Sequence, residues 1–504
     1  MEPLDPEISY RAIQSRDRRF DGRLFVGVTS TGIYCRPVCP ARTPMPAHCR
    51  FYASAAAAQE AGFRPCLRCR PETAPDLGAW RGTSNTVSRG LALIAEGALD
   101  GEDAGVERLA ERLGVGGRQL RRLFEQHLGA SPIAVAQTRR VLFAKQLIHD
   151  TRLPMAEVAL ASGFGSVRRF NETFQRLFGR PPGALRRKGV TPLPEGTVAA
   201  TGVTVELRYR PPYDWPAMLA YLRARAIAGI ERVEGEVYRR TVLHDGAPGT
   251  VEIAHAPHRS SLSATIRVPC VRGLPSVVAR IRRVFDLGAD IAAIGAHLAR
   301  DPLLAPLVAE RPGLRAPGGW DGFELAVRAV LGQQVTVEAA RRLAGALVRL
   351  CGTPIAAADR GDPALAFAFP TPAQVAAADL SALGMPGARK AALLALAEAV
   401  LADPGLFEPL GSVEETVARL RAIRGVGEWT AHYIALRAVR EPDAFPASDI
   451  GLMRGAAGPD GRRPTATELR GRAEPWRPWR AYAAQHLWTA DALARGGGKE
   501  TSHA

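Results

Sequence analysis

LRAIRGVGEWTAHYIALRAV (Leu420–Val439) is a segment in which two helical patterns flank a tight turn, G-V-G. Glycine has no side chain, so the backbone of this turn can come close to a bound group, and amides at the start of a helix bind phosphate. The pattern therefore predicts a helix-hairpin-helix in which Gly425 and Gly427 contact the DNA backbone. Such hairpins also occur in DNA-binding proteins without catalytic activity, so this segment alone predicts binding and not a reaction.

One carboxylate follows the hairpin at a short distance. Asp449 lies 22 residues after Gly427, within the string FPASDIGLM. An aspartate that precedes a helix often serves only as its N-cap, because its side chain accepts hydrogen bonds from the free amides of the first turn. The other possibility is that the carboxylate takes part in a reaction on the bound DNA. The residues alone leave both interpretations open.

Four more strings help to distinguish these interpretations. They are RPPYDWPAML (Arg210–Leu219), GWDGFELAVRAVLGQQV (Gly319–Val335), ALGMPGARKAAL (Ala382–Leu393) and EPWRPWRAYAAQHLW (Glu474–Trp488). Together with the hairpin and Asp449 they resemble the AlkA class of alkylbase DNA glycosylases, over about 290 residues. The resemblance implies that Asp449 is catalytic, and that Gln334 fills the gap left in the duplex when a damaged base is flipped out.

The same resemblance implies an aromatic pocket for the damaged base. An alkylated purine such as 3-methyladenine carries a positive charge, so electron-rich rings hold it by stacking and cation–π attraction. A charged base leaves readily, so the carboxylate is needed mainly to stabilise the oxocarbenium-like sugar. Trp429 also stands where lyase-competent relatives carry a lysine, so we expect a monofunctional, hydrolytic glycosylase. The rings at the pocket positions, each of which could equally be core packing, are Trp429, Tyr433, Trp488 and Tyr221.

Four of the seven cysteines fall in two tight pairs, one in GIYCRPVCPAR and one in GFRPCLRCRPE. Two such turns supply four thiolates at a spacing suited to tetrahedral zinc. Cys49, between the pairs, is either a bystander or a competing ligand, and His48 beside it is another candidate. A purely structural zinc site is the alternative to a reactive one. The predicted zinc ligands are Cys35, Cys39, Cys66 and Cys69.

The residues around these pairs, FDGRLFVGVTSTGIYCRPVCPAR and RFYASAAAAQEAGFRPCLRCRPE, resemble the N-terminal domain of the Ada family of DNA methyl-damage sensors, from residue 8 to about 72. In that family the first cysteine accepts a methyl group irreversibly from a methylphosphotriester in DNA, and here that position is Cys35. Loss of one thiolate charge should raise the affinity for DNA phosphates. Five arginines near the thiols could clasp the DNA backbone: Arg36, Arg42, Arg64, Arg68 and Arg70.

The middle of the chain contains two helix-turn-helix patterns, VERLAERLGVGGRQLRRLFEQHLG (Val106–Gly129) and MAEVALASGFGSVRRFNETFQRLFGRPP (Met155–Pro182). The string GF-x-S-x-x-x-F-x-x-x-F-x-x-x-x-G-x-x-P makes this region resemble an AraC-type DNA-binding domain, which implies that the second helix of each unit enters the major groove. Gly116 and Gly117 stand where a Ser or Thr N-cap is usual. The candidate DNA contacts are Arg118, Gln119, Arg121, Arg122, Ser166, Arg168, Arg169 and Asn171.

Composition and charge agree with DNA as a partner. The 504 residues carry a net charge of +16, and between Val106 and Lys188 there are 16 basic and 6 acidic residues. Such a local excess suits a polyanion, although a solvated basic surface would give the same count. No apolar run approaches the length of a transmembrane helix, and the N-terminus lacks the apolar core of a signal peptide, so we expect a cytoplasmic protein.

The sequence predicts a multidomain α+β protein. We expect a small zinc-bound α/β domain, an all-α domain with two helix-turn-helix units, and a β-sheet subdomain followed by a helical helix-hairpin-helix glycosylase domain. Segments rich in Pro, Gly and small residues at Ala74–Thr86 and Lys188–Gly202 predict linkers. The predicted domain bounds are 1–75, 86–188, 203–285 and 286–495.

These patterns predict repair of DNA alkylation damage joined to a response to it. The expected partner is double-stranded DNA, both alkylated and promoter, with RNA polymerase as a further candidate, and the expected state is a monomer without membrane contact. The chain has no Pro-Cys-His-Arg string, so no repair of O6-alkylguanine is expected. The alternative is a methylation-responsive transcriptional regulator whose glycosylase-like domain serves only as a DNA clamp.

Overall fold

The chain divides into two compact units. No helix in the described part of the chain is both long and apolar enough to cross a bilayer. Most of both predicted linkers lies outside the described residues. The first unit comprises Met1–Tyr209, His244–Ala279 and Leu287–Ala289, and the second Arg210–Leu243, Arg280–Asp286 and Asp290–Ala504. The computed structural model describes residues 4–74, 85–100, 105–186, 202–244, 246–356, 360, 362–458 and 460–500.

The first unit begins with a small sheet of order β3-β1-β2-β4. Strand β1 pairs antiparallel with β2 and β3, while β2 and β4 are parallel. Ser54 caps α2 by accepting the Ala57 amide, and three buried alanines of that helix allow close packing. The elements are α1 (Pro6–Gln14), β1 (Phe25–Val28), β2 (Ile33–Cys35), β3 (Cys49–Tyr52), α2 (Ala55–Glu60) and β4 (Arg64–Pro65).

The parallel pair β2–β4 brings the two cysteine turns together. Its register pairs Ile33 with Arg64 and Tyr34 with Pro65, and the amide of Cys66 donates to the carbonyl of Tyr34 at 3.0 Å. Cys35 and Cys66 therefore leave the sheet side by side, although they are distant in the sequence. This explains how two short turns can share one site.

Among its described residues the first unit continues with six helices, and two consecutive pairs of them, α4 with α5 and α7 with α8, form the two predicted helix-turn-helix units. The second helix of each unit ends at a glycine with positive φ, Gly129 at 65° and Gly179 at 66°, because a left-handed residue is needed to stop the helix there. Phe164, Phe170, Phe174 and Phe178 form a ladder of ring contacts in the second unit. The helices are α3 (Asn85–Ala95), α4 (Val106–Arg112), α5 (Gly117–Leu128), α6 (Pro132–Asp150), α7 (Met155–Ala161) and α8 (Val167–Phe178).

A β-rich segment follows residue 202, as predicted. Strands β5, β9 and β8 pair antiparallel in that order, with Val205 opposite Ala264 and Ile253 opposite Ala264. Alternate residues of β5 are buried, the burial pattern of a strand with one face in a core. The strands from this point are β5 (Val203–Arg208), β6 (Glu231–Glu234), β7 (Val237–His244), β8 (Ala247–Ala256), β9 (Ser261–Arg267), β10 (Thr353–Pro354) and β11 (Phe367–Ala368).

The rest of the chain is mainly helical, and the predicted multidomain α+β class is confirmed. A π-helical turn, Ala435–Val439, directly continues α18. The helices are α9 (Trp215–Arg225), α10 (Leu274–Val284), α11 (Ile291–Leu298), α12 (Leu304–Glu310), α13 (Gly322–Leu331), α14 (Val337–Cys351), α15 (Pro372–Ala377), α16 (Gly387–Ala402), α17 (Val413–Arg421), α18 (Glu428–Ile434), α19 (Ile450–Gly455), α20 (Ala466–Arg472) and α21 (Arg480–Glu500).

A buried histidine should make the second unit sensitive to acid. His486 in α21 is 6% exposed, and burial lowers its pKa to about 4, against 6.5 for a free histidine. Below about pH 6.5 the unfolded chain therefore binds a proton at His486 that the folded unit does not bind. The contribution of His486 to the free energy of unfolding is fully present above about pH 6.5 and is lost as the pH falls towards 4. Between pH 7 and pH 5 we expect His486 to account for a loss of about 2 kcal/mol.

Urea unfolding followed by tryptophan fluorescence measures this loss, because six of the seven tryptophans lie in the second unit. The matched variant is His486→Gln, which does not titrate in this range. An equal loss of stability in the wild type and the variant would contradict the prediction.

Candidate active site and metal centre

Four cysteine sulfurs form one cluster at the edge of the small sheet. The Sγ atoms of Cys35, Cys39, Cys66 and Cys69 all lie within 4.8 Å of one another. Cys35 and Cys39 are partly exposed, whereas Cys66 and Cys69 are 6% and 7% exposed. Chemistry on a large substrate is therefore confined to the first pair.

The cluster fits a tetrahedral zinc ion. Bonds of about 2.3 Å from zinc to four sulfurs place those sulfurs about 3.8 Å apart. Hydrogen bonding to Cys39 raises the pKa of Cys35, while hydrogen bonding to Cys35 lowers that of Cys66, because four thiolates cannot share this volume without a cation. Cys49 is not part of the cluster; its thiol donates to the carbonyl of Met45 at 3.3 Å.

The four sulfurs differ in their hydrogen bonds. The amides of Arg36 and Arg68 donate to the sulfurs of Cys69 and Cys66 at 3.4 and 3.3 Å, and the amide of Ala41 donates to Cys39. Among the described residues, no backbone amide donates to Cys35. A hydrogen bond donated by a backbone amide withdraws electron density from a thiolate. Since Cys35 receives none from the described residues, its sulfur is the most nucleophilic of the four.

The arginines near the thiols have different roles. Arg36 is 9% exposed and makes an ion pair with Asp21, so it is not available to DNA, and that expectation was wrong. Arg70 is also engaged, with Glu72 and Asp150. The arginines that line the cleft of about 360 Å³ beside Cys35 and are at least partly exposed are Arg42, Arg64 and Arg68.

A buried ion pair ties the cysteine turns to the helix-turn-helix region. Lys145 of α6 is fully buried, and its Nζ donates to Glu72 at 2.5 Å and to the carbonyl of Cys66 at 2.9 Å. Ser54 adds a bond to the carbonyl of Leu128 at 2.7 Å. The cysteine turns are therefore joined to α6 by a buried ion pair, and a second buried bond joins the N-cap of α2 to the end of α5.

Replacing Lys145 by Met should destabilise the first unit by about 3 kcal/mol, because it leaves the buried Glu72 carboxylate short of a cation. Urea unfolding monitored by hydrogen exchange of α6 gives the measurement. The exposed pair of Arg168 with Glu172 serves as the contrast, and Arg168→Met should leave the free energy of unfolding nearly unchanged. The double variant Lys145→Met, Glu72→Gln should recover part of the lost stability. The explanation would be refuted if Lys145→Met, Arg168→Met and the double variant were all equally unstable.

The predicted DNA-reading side chains lie on α5 and α8. Ser166 is the N-cap of α8 and accepts the Arg169 amide at 3.2 Å, which gives it a structural role. The N-cap of α5 is Gly116, which offers no side-chain bond, as its sequence predicts. Two of the arginines are held by acids, Arg121 by Glu107 and Arg168 by Glu172. The candidates with exposed side chains are Arg118, Gln119, Arg121, Arg122, Arg168, Arg169 and Asn171.

In the second unit the hairpin between α17 and α18 has the predicted glycines. Gly425 adopts a φ of 84°, and a Cβ there would lie 2.4 Å from that of Ala392, so no other residue fits. Gly427 is the N-cap of α18, with open space around it. Gly425 is thus required by the fold, while the space beside Gly427 leaves room for a close approach by a ligand.

Asp449 is a helix N-cap, the first of the two roles that its sequence left open, and its carboxylate is also in contact with the predicted aromatic residues. It is the N-cap of α19, and its Oδ1 accepts the Leu452 amide at 3.0 Å. The same carboxylate accepts the indole N–H of Trp488 at 2.8 Å and that of Trp429 at 2.7 Å. Three donors on separate elements hold this partly exposed carboxylate in one orientation.

The predicted aromatic residues form one cluster beside Asp449. Trp429 stacks on Tyr433 with centroids 5.3 Å apart and planes at 13°, and Tyr433 meets Trp488 edge-on at 6.2 Å. The hydroxyls of Tyr221 and Tyr433 lie 3.3 Å apart, and burial raises the pKa of Tyr433 to about 12. All four rings are therefore close to each other, and all but Tyr221 reach the carboxylate directly or through one ring.

Comparison with known proteins agrees with this arrangement. Residues 9–72 match the family described as the metal binding domain of Ada, residues 109–188 a helix-turn-helix domain, and residues 204–321 the AlkA N-terminal domain. The "Probable bifunctional transcriptional activator/DNA repair enzyme AlkA" of Mycobacterium tuberculosis is 42% identical over 486 residues, which is 96% of each chain. This chain belongs to the bifunctional AlkA family.

Further similarities of this member of the bifunctional AlkA family are partial. DNA-3-methyladenine glycosylase 2 of Escherichia coli is 36% identical over 285 residues, which cover 56% of this chain and 95% of that protein. The solved 3-methyladenine DNA glycosylase of Archaeoglobus fulgidus has a TM-score of 0.50 at 20% identity, covering 57% of this chain and 98% of that one, which shows a shared fold. The match to the Ada metal-binding family and the four-sulfur cluster together confirm the predicted zinc site.

Gln334 of this AlkA-family chain has a strained backbone. It is exposed, and its φ is 57°, a left-handed conformation that a non-glycine residue rarely adopts. Strain of this kind persists only where the surroundings hold it. The preceding Gln333 provides the restraint, because its Nε2 donates to the Gly425 carbonyl at 2.9 Å and to Thr430 at 3.0 Å.

Sequence reasoning missed several residues of this AlkA-family site. Gln333 ties the loop of Gln334 to the hairpin, and Arg437 lies against the aromatic cluster. The repeated glutamine in LGQQV was the only signal for Gln333, and nothing in the sequence predicts the π-helical turn that holds Arg437. At the cysteine turns of the first unit, Lys145 could not be foreseen either, since its partners lie more than 70 residues away.

Proposed function

We propose that this protein repairs alkylated DNA in two ways, by hydrolytic release of alkylated purines of the 3-methyladenine type and by transfer of methyl groups from DNA methylphosphotriesters to Cys35. One observation carries the glycosylase proposal. The Asp449 carboxylate is held by two indole N–H groups inside an aromatic cluster, next to a glycine hairpin suited to a phosphate.

The residues divide the work of base release. The hairpin at Gly425 and Gly427 binds a phosphate of the damaged strand through backbone amides. Gln334, exposed and strained, fills the space of the flipped nucleotide, and the aromatic cluster of Trp429, Tyr433, Trp488 and Tyr221 holds the base by stacking and cation–π attraction. As the bond from sugar to base breaks, Asp449 stabilises the positive charge on the sugar and orients water. The hairpin position that carries a lysine in lyase-competent relatives is occupied by Trp429, so the enzyme is monofunctional and does not cleave the DNA strand.

Methyl transfer uses Cys35, the one sulfur of the cluster that receives no backbone-amide hydrogen bond from the described residues. The Cys35 sulfur attacks the methyl carbon, the new S–C bond forms as the C–O bond of the triester breaks, and the phosphodiester leaves as an anion. A bound zinc ion keeps the thiols deprotonated. The thioether product carries one negative charge less, so the cleft with Arg42, Arg64 and Arg68 binds DNA phosphates more tightly.

The helix-turn-helix region directs the protein, once Cys35 is methylated, to promoter DNA. Arg118, Arg121, Arg122, Arg168 and Arg169 contact promoter DNA, and RNA polymerase is the downstream partner of a cytoplasmic monomer. We assign residues 1–75 to the methyl acceptor and 86–188 to promoter binding. Residues 203–285 and 286–495 form the two parts of the glycosylase.

Incubation of the purified protein with duplexes containing 3-methyladenine or 7-methylguanine tests the glycosylase proposal. Free base in the supernatant, with the DNA strand left uncut until alkali is added, is the expected result. Tight DNA binding without any release from zinc-loaded, folded protein would favour the alternative, in which the glycosylase-like domain is only a DNA clamp.

A further inference from the structure

The aromatic cluster has a buried cation behind it. Arg437 is 1% exposed, and its Cζ lies 4.9 Å from the ring centroid of Tyr221, 5.8 Å from that of Tyr433 and 5.1 Å from that of Trp488. Arg225 also lies over Tyr221, at 4.0 Å, and it donates a hydrogen bond to the side chain of Tyr433. The Arg437 guanidinium therefore contacts three of the four rings proposed to hold the base.

The charge of Arg437 is poorly compensated. Its Nη1 donates to the Pro317 carbonyl and its Nη2 to Gln485 Oε1, both at 2.8 Å, and both acceptors are neutral. In the described part of the chain, its Nε has no acceptor and no carboxylate pairs with it. A buried charge without a counter-charge costs stability, and cation–π contacts return only part of that cost. An arginine kept here at such a cost suggests a functional role.

The position of Arg437 relative to Asp449 indicates that role. Trp488 donates its indole N–H to Asp449 and presents its ring to Arg437, so a carboxylate and a guanidinium lie against the same indole. When the bond from sugar to base breaks, its electron pair moves to the base, and the sugar becomes positive. A carboxylate stabilises the sugar, and a cation beside the rings stabilises the electrons that the base receives.

We infer that Arg437 is a specificity-determining residue, which acts through the aromatic cluster to favour release of neutral damaged purines relative to cationic ones. A cationic base becomes neutral as it leaves, whereas a neutral base becomes an anion that water then protonates. The guanidinium repels the first base on binding and stabilises the second in the transition state. This inference rests on the proposed glycosylase function, and it adds to that function a residue that selects between neutral and cationic bases.

The test compares kcat/KM for two duplexes, one containing hypoxanthine, a neutral purine, and the other containing cationic 7-methylguanine. In Arg437→Met the ratio of hypoxanthine to 7-methylguanine release should fall at least about tenfold, as expected for one unit of charge at this range. Arg437→Lys replaces the guanidinium by a smaller basic group and should lower the ratio less than Arg437→Met does. Because both substrates are assayed on one preparation, any inactive fraction cancels from the ratio.

Arg315→Met is the matched control. Arg315 is also buried, 2% exposed, with its Cζ 4.7 Å from the Tyr213 ring, and its guanidinium donates to the carbonyls of Asp286 and Pro212, which are not part of the proposed pocket. Its loss should leave the ratio unchanged. If Arg437→Met gives no folded protein, Arg437→Gln takes its place with the same expected fall.

Two results would overturn the inference: an equal loss of both activities in the neutral variants, or a wild-type protein that releases 7-methylguanine but no hypoxanthine. Release of neither base by the wild type would instead reject the proposed function.

Discussion

Asp449→Asn should lower the rate of base release at least about a thousandfold, because the amide cannot stabilise the positive charge that develops on the sugar. Asparagine is nearly isosteric and is itself a good N-cap, so α19 should still form. The carboxylate accepts three hydrogen bonds, and an amide has one oxygen, so one indole N–H will face an NH₂ group. We therefore expect a modest loss of stability of about 1–2 kcal/mol beside the large loss of activity.

Single-turnover release of 3-methyladenine, together with a thermal melt of each protein, separates these two effects. The matched control is Asp379→Asn, another aspartate that caps a short helix, by accepting the Ser381 amide at 2.8 Å; in the described part of the chain it has no contact with the aromatic cluster. Its activity should equal that of the wild type. Full activity in Asp449→Asn would show that Asp449 is only a cap, and the catalytic assignment would be wrong.

Cys35→Ser should abolish methyl uptake from methylphosphotriester DNA, since the serine hydroxyl is not deprotonated as a thiolate is. Intact-protein mass after incubation with methylated DNA shows one added methyl group in the wild type and none in the variant. Peptide mapping places the group on Cys35. The control is Cys49→Ser in the same sheet, because the Cys49 thiol bonds to a carbonyl outside the sulfur cluster. That variant should take up the methyl group as the wild type does.

The other cysteines distinguish a reactive site from a structural one. Cys69 is buried, and its sulfur and carbonyl hold the backbone and side chain of Arg36, so Cys69→Ser should lose both bound zinc and the folded sheet. Cys35→Ser should retain the fold, since Cys35 is partly exposed and receives no amide bond among the described residues. If Cys35→Ser unfolds as Cys69→Ser does, the cluster serves structure alone.

Local patterns were sufficient to predict much of this protein. The cysteine spacings predicted one four-sulfur site, and the parallel register of β2 and β4 explains why those spacings produce it. The two glycines of the hairpin predicted a tight turn. The structure explains why Gly425 is needed there, because its positive φ and its close approach to Ala392 leave no alternative to glycine. The aromatic residues near Asp449 were predicted by resemblance, and they do lie together.

What local patterns could not predict are roles that depend on long-range partners. An arginine near the thiols looked suited to DNA, yet Arg36 is buried against Asp21. The sequence left Asp449 as either a cap or a catalytic group, and only the tertiary structure shows that the cap also accepts two indole N–H groups, brought to it by α18 and α21.

The sequence by itself determined the chemistry available to this protein: four thiols in two turns, one carboxylate after a glycine hairpin, and basic helix-turn-helix segments. These features depend on residue type and short spacing, which neighbouring residues in the chain control. The tertiary structure alone decided which charges are buried, as with Lys145 against Glu72 and Arg437 behind the rings. Burial depends on segments distant in the chain, and it sets the strength of every charge interaction by removing water.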